Sequence, residues 1–120
     1  MSIRELSEDI LLVELPSAGS KRGEELNAVS QMVSEKCTHD VIIDFFRVEL
    51  LNSWNISTLL ALRSLLQDSG HRLVLYNVRV VTKCIFSVAG LSKVFVFAKD
   101  KPAALAALRS SKLPAEESAP

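Results

Sequence analysis

Apolar positions along this chain fall into short continuous runs that alternate with longer periodic stripes. Asp9-Ile10-Leu11-Leu12-Val13-Glu14-Leu15 is a compact apolar run closed by Pro16 and the turn-forming Ser17-Ala18-Gly19, so it reads as a strand. A shorter strand is expected before it, near Ile3 to Leu6. From about Arg22 to Ser34 the period changes. Leu26, Val29 and Val33 recur at i, i+3 and i+7, and Glu24 and Glu25 stand early, where the helix dipole favours negative charge. This spacing predicts a first helix with a polar outer face. Val41-Ile42-Ile43-Asp44-Phe45-Phe46 then reads as a strand covered on both faces, as central strands of parallel sheets are. Asp44 is read as a strand-end side chain bonding nearby amides rather than as a catalytic acid.

Val48 to Leu51 lead into Asn52-Ser53-Trp54-Asn55. A second helix is predicted over Ile56 to Asp68, with Leu59, Leu62, Leu65 and Leu66 on one broad face and Gly70 placed for the left-handed residue after its end. Leu73-Val74-Leu75-Tyr76 reads as a buried strand. Val81, Cys84, Ile85 and Val88 repeat at i, i+3, i+4 and i+7, which predicts a third helix facing the core through those four residues and stopping at Gly90. A last strand is expected at Val94 to Phe97. A last helix follows, with Asp100 as cap, Pro102 in its first turn and Ala103 to Leu108 as its body. The segment 110–120 holds one large apolar residue, Leu113, and is expected to be a flexible tail on a single domain spanning 1–109. Strands alternating with short helices give an α/β class with a mostly parallel sheet. Ligands on such sheets bind beyond the carboxyl ends of the strands, which directs attention to the Asn52–Asn55 junction.

Composition narrows the function. With 48% apolar and 23% charged residues, the chain has the make-up of an ordinary globular domain. Its 14 basic residues are balanced by 14 acidic ones, so the basic excess of a nucleic-acid binder is absent. No apolar run reaches the roughly 20 residues that span a bilayer, and no basic start leads into a long apolar segment, so a cytoplasmic protein is expected. Cys37, His39, His71 and Cys84 are scattered without the spacing of a zinc site, and no metal or other cofactor is expected. No GxSxG or phosphate-cradling GxxxxGK[ST] motif occurs, and the two histidines are isolated, so the chain does not read as an enzyme.

The order of motifs carries a resemblance. Val41-Ile42-Ile43-Asp44, Leu50-Leu51, Asn52-Ser53-Trp54-Asn55, Leu59-Leu60-Ala61-Leu62, Gly70-His71-Arg72-Leu73-Val74-Leu75 and Val88-Ala89-Gly90-Leu91 follow one another as in a STAS domain. The stretch from Asp40 to Leu108 resembles that family, which includes the anti-sigma factor antagonists. The resemblance implies an α/β STAS (SpoIIaa-like) fold, with a mostly parallel sheet of four or five strands and about four helices. The family motif is Asp-Ser-Ser-Gly, and its serine is phosphorylated by a partner that is both anti-sigma factor and kinase. The unphosphorylated antagonist binds that partner, and phosphorylation releases it. Ser53 is in register with the motif serine, while Asn52, Trp54 and Asn55 replace the family's Asp, small residue and Gly. Ser53 is thus a candidate phosphoacceptor as well as a candidate helix cap. Trp54 is a candidate interface anchor as well as a packing residue. Asn52, Ser53, Trp54, Asn55, Ser57 and Thr58 form the candidate partner-binding segment, extended by Lys83 and Ser87 on the third helix. The loop is read first as a protein-binding surface and second as a phosphorylation switch. The expected partner is an anti-sigma factor or serine-kinase-type protein, and self-association is left open. The alternative is a scaffold subunit of a signalling assembly or transport system that is not phosphorylated.

Overall fold

The computed structural model describes residues 3–15, 19–35, 39–48 and 53–109. Its elements are β1 (Ile3–Ser7), β2 (Ile10–Glu14), α1 (Gly19–Glu35), β3 (Asp40–Asp44), α2 (Ser53–Asp68), β4 (Leu73–Tyr76), α3 (Val80–Val88), β5 (Val96–Ala98) and α4 (Lys101–Arg109). The five strands form one sheet in the order β1-β2-β3-β4-β5. β1 pairs antiparallel with β2, and the other three pairings are parallel. The expected α/β class with a mostly parallel sheet and four helices is what forms. The expected 110–120 tail lies outside the described residues.

This strand order decides where the helices go. Parallel crossovers are right-handed almost without exception, and the strands advance in one direction, so three consecutive crossovers put α1, α2 and α3 on the same face. Leu11, Val13, Val41, Ile43, Phe45, Leu73 and Leu75 point to that face. There they meet Leu26, Val29 and Val33 of α1, Leu59, Leu62 and Leu66 of α2, and Phe86 of α3. Alternate residues Leu12, Ile42, Val74 and Tyr76 point the other way and meet α4 through Ala104. The near-continuous apolar strands are therefore explained by a sheet covered on both sides.

Helix ends follow the sequence signals. Gly70 and Gly90 both adopt positive φ, at +80° and +77°. Each closes a Schellman motif: the His71 and Leu91 amides reach back to the Leu66 and Phe86 carbonyls, both at 2.8 Å. Asp100 caps α4 as expected, its carboxylate accepting the Ala103 amide at 2.9 Å.

Several boundaries differ: α1 begins at Gly19, three residues before Arg22. α2 begins at Ser53, three residues before the first periodic leucine face predicts it. β5 is shorter than expected and starts at Val96, because the chain turns through Leu91–Val94 with the Val94 amide bonded to the Leu91 carbonyl at 3.0 Å. β3 stops at Asp44, so Phe46 is not part of a buried strand and is 63% exposed. The cause is Asp44 itself, whose carboxylate accepts the Phe46 amide at 2.8 Å and turns the chain out of the ladder.

The third helix contradicts its predicted phase. Of Val81, Cys84, Ile85 and Val88, expected to face the core, only Ile85 is half-buried; Val81, Cys84 and Val88 are exposed. Thr82 and Phe86 face inward instead. The reason is aromatic. Phe86 packs edge-on against Phe45, Phe95 and Phe97, with ring centroids 6.5, 5.3 and 5.4 Å away. One phenylalanine buries more area than a valine and gains from each edge-to-face contact. A nine-residue helix turns one stripe inward, and the stripe holding Phe86 wins.

Tyr76 ends β4 on the face covered by α4 and is 2% exposed. Burial, and then the carboxylates of Asp44 and Glu14, push its hydroxyl pKa well above the usual tyrosine value, against a smaller opposing effect from Arg4. The neutral phenol is the form that folds. Its contribution to stability is present below the unfolded pKa of about 10 and is lost as pH rises beyond it. Tyr76→Phe is therefore expected to flatten the alkaline fall in stability, read as urea midpoint against pH. Equal falls in the two proteins exclude Tyr76 as the cause.

Candidate protein-docking site

The carboxyl ends of β2, β3 and β4 and the amino ends of α2 and α3 meet at one edge of the sheet. Asp44 organises it. Besides the Phe46 amide, its Oδ1 accepts Asn77 Nδ2 at 3.1 Å. Asn77 has φ of 58°, a left-handed conformation that Asn tolerates better than most residues. This is the bonding role read from the sequence for Asp44. Beyond it, the Arg79 guanidinium donates to the Phe46 carbonyl, with Nη2 at 3.2 Å, and ties the end of β3 to the start of α3. Val48 is buried and donates its amide to the Phe45 carbonyl at 2.9 Å, which closes the turn that leads toward α2.

Within the candidate segment, Asn52 lies outside the described residues. Ser53 and Trp54 form the first positions of α2, and no acidic residue stands in that first turn. Asn55 is 0% exposed, so its side chain is not presented at the surface. Ser57 is exposed and Thr58 half-buried on the same helix. Lys83 and Ser87 are exposed on α3. Lys83 Nζ lies over the Phe97 ring, 5.9 Å from its centroid, which draws it toward β5. The remaining candidates for metal binding are apart. His39 Nε2 meets Glu5 at 2.7 Å, His71 Nδ1 meets Asp40 at 3.1 Å, Cys84 is exposed, and Cys37 lies outside the described residues. Among the described residues no three potential ligands gather.

The residues missed by sequence reasoning are apolar. Val80, Val81 and Val88 are 77%, 59% and 89% exposed, and with Cys84 they line the outer side of α3. Just before that stripe, the Arg79 side chain donates to the backbone carbonyl of Phe46, which is itself 63% exposed. A helix apolar on two sides is either wholly enclosed or keeps one side for another molecule. The signal was present in Val80-Val81-Thr82-Lys83-Cys84-Ile85-Phe86-Ser87-Val88, which has apolar residues all round.

No family sequence profile and no curated protein sequence matches the chain. Solved structures do. An anti-sigma-factor antagonist (STAS) domain protein from Planctomyces limnophilus superposes with a TM-score of 0.77, at 17% identity over 90% of this chain and 98% of that one. The chain has the STAS fold. A serine-to-glutamate variant of RsbS from Moorella thermoacetica gives a TM-score of 0.76, at 15% identity over 89% of this chain and 92% of that one. The Bacillus cell fate determinant SpoIIAA in its phosphorylated form gives 0.64, at 17% identity over 84% and 93%. At these identities the likeness is one of fold. Among the described residues, no helix of this STAS fold is long and apolar enough to cross a membrane.

Proposed function

We propose that the protein is a regulatory binding module of the anti-sigma-factor-antagonist kind, acting in the cytoplasm and not as an enzyme. It docks on an anti-sigma factor or serine-kinase-type partner through the amino end of α2 and the outer side of α3. The observation that carries this reading is the apolar stripe of α3 with Phe46, beside the helix that Ser53 opens. The described strands advance in one direction, so among them there is no switch point of the kind that seats a dinucleotide. A broad, partly apolar edge suits a protein surface better than a small substrate.

Ser53 is the proposed phosphoacceptor and Trp54 a proposed anchor. A phosphate on Ser53 adds about −1.5 to −2 charges and three acceptor oxygens at the start of a 16-residue helix. The helix dipole stabilises it there, while an apolar partner surface does not. The modification thus weakens docking without refolding the domain. SpoIIAA, which has this fold, occurs in phosphorylated and unphosphorylated forms, and this supports the reading.

The test is intact mass before and after incubation with the cognate kinase, with Ser53→Ala in parallel. A gain of one phosphate that Ser53→Ala abolishes is expected. A gain that Ser53→Ala leaves untouched assigns the phosphate elsewhere. No gain, with partner retention intact, replaces the switch by constitutive docking, the scaffold alternative.

A further inference from the structure

The opposite edge of the sheet holds a cleft of about 450 Å³ lined by Arg63 and Gln67 of α2, the turn Gly70-His71-Arg72, Leu73, and Lys93, Val94 and Val96 before and at the start of β5. Ser53 lies 10 to 14 residues from Arg63 and Gln67 along α2. At 1.5 Å per residue, the cleft sits roughly 15–21 Å from the docking edge along the helix axis.

The cleft is cationic. Arg63, Arg72 and Lys93 line it and no carboxylate does, although the chain as a whole has zero formal charge. Among the described residues, no salt bridge engages Arg63 or Lys93. Arg63 and Lys93 bring two like charges to one opening, and an anion between them offsets their repulsion. The carboxyl end of α2 opposes an anion with about half a negative charge and the Asp40 carboxylate behind Arg72 with a full one, against three full positive charges, so the cleft stays net cationic. Its Leu66 and Gln67 carbonyls are already engaged by the Schellman bonds to His71 and Gly70.

The cleft is also held in place. Asp40 stands behind it, accepting the Arg72 amide at 2.9 Å and meeting His71 Nδ1 at 3.1 Å. Arg72 Nη1 donates to the Ala107 carbonyl at 3.0 Å, which ties its guanidinium to α4. Gly70 at positive φ has open space where a Cβ would stand, so the rim is unobstructed there. Anchoring a guanidinium before a ligand arrives lowers the ordering cost of binding.

The other wall is apolar: Leu73 is buried and Val94 and Val96 are half-buried. The volume falls in the range of small-molecule sites and far exceeds a bare oxyanion. Guanidinium groups match phosphate oxygens in a bidentate fork, and two arginines with a lysine suit a dianion. We propose that this cleft binds a small phosphate monoester, its phosphate between Arg63, Arg72 and Lys93 and its apolar body against Leu73, Val94 and Val96. The site is independent of the docking edge and stands or falls separately from it.

The test is an amide NMR titration of the whole chain with phenyl phosphate, inorganic phosphate and phenol, at ionic strength held constant with sodium chloride. Phenyl phosphate is expected to shift Gly70, His71, Arg72, Lys93 and Val94 saturably, while the amides of Ser57 and Thr58 stay in place. Its affinity exceeds that of inorganic phosphate by about fivefold or more, through the apolar wall. Arg63→Gln and Lys93→Gln each weaken it about tenfold, and Arg63→Lys less. Both sites are at the surface, and the dispersion of each variant's spectrum reports its fold. The proposal is overturned by shifts that do not saturate, by shifts centred elsewhere, or by an affinity that neither glutamine variant lowers.

Discussion

Phe86→Ala is expected to destabilise the domain by about 3–5 kcal/mol, read as a loss of urea midpoint at unchanged slope. Phe86 has 0% exposure and touches three aromatic rings. Truncating it removes the ring's transfer free energy and leaves a cavity. It also forfeits edge contacts worth about 0.5–1.5 kcal/mol each. Phe86 is the one fully buried apolar side chain of α3, so the helix loses its main hold on the sheet as well. A domain of this size holds about 5–15 kcal/mol in total, so the variant is close to the unfolding threshold. Val88→Ala provides the contrast. By spacing alone, Val88 belongs to the core stripe, yet it is 89% exposed. Its replacement is expected to change stability by no more than about 0.5 kcal/mol. If Val88→Ala costs as much as Phe86→Ala, the phase given for α3 is wrong.

That contrast marks how far the sequence could be read. The strands were legible because a sheet covered on both faces needs unbroken apolar runs, and Val41-Ile42-Ile43 and Leu73-Val74-Leu75 supply them. α1 and α2 were legible because each has one apolar stripe, so Leu26, Val29 and Val33, and Leu59, Leu62 and Leu66, leave no choice of face. α3 has two stripes. Which one turns inward depends on Phe45, Phe95 and Phe97, which come from distant segments, and periodicity within α3 carries no information about them. Phe46 fails for a related reason. The apolar run continues through it, but β3 ends two residues earlier, at Asp44, whose side chain takes the Phe46 amide. The position of Ser53 at the carboxyl edge followed from element order alone. Asn55 did not, because a polar residue beside a loop reads as exposed, while the fold takes it to 0% exposure. The cationic cleft was illegible, since Arg63, Arg72 and Lys93 come from three separate segments.

The double substitution Val81→Glu, Val88→Glu is expected to weaken binding of the proposed anti-sigma or kinase-type partner by about 100-fold or more while leaving the fold intact. Both side chains already face water, at 59% and 89% exposure, so the free protein gives up little buried area and its urea midpoint moves little. Binding is different. Enclosing a valine contributes about 1.5 kcal/mol or more, and a glutamate in its place must be stripped of water against an apolar surface. Two such losses amount to about 3 kcal/mol before any charge penalty, and every 1.4 kcal/mol is tenfold in affinity. Met32→Glu on α1 is the control, because Met32 is also an exposed apolar residue, at 41%, but lies on another helix. It is expected to change affinity less than about twofold, within the range of surface substitutions outside an interface. The measurement is partner affinity by calorimetry for the three proteins, with Ser53→Glu as a fourth. Loss in the double variant and in Ser53→Glu places both helices in one surface. Loss in Ser53→Glu alone confines docking to the amino end of α2 and leaves the α3 stripe for something else.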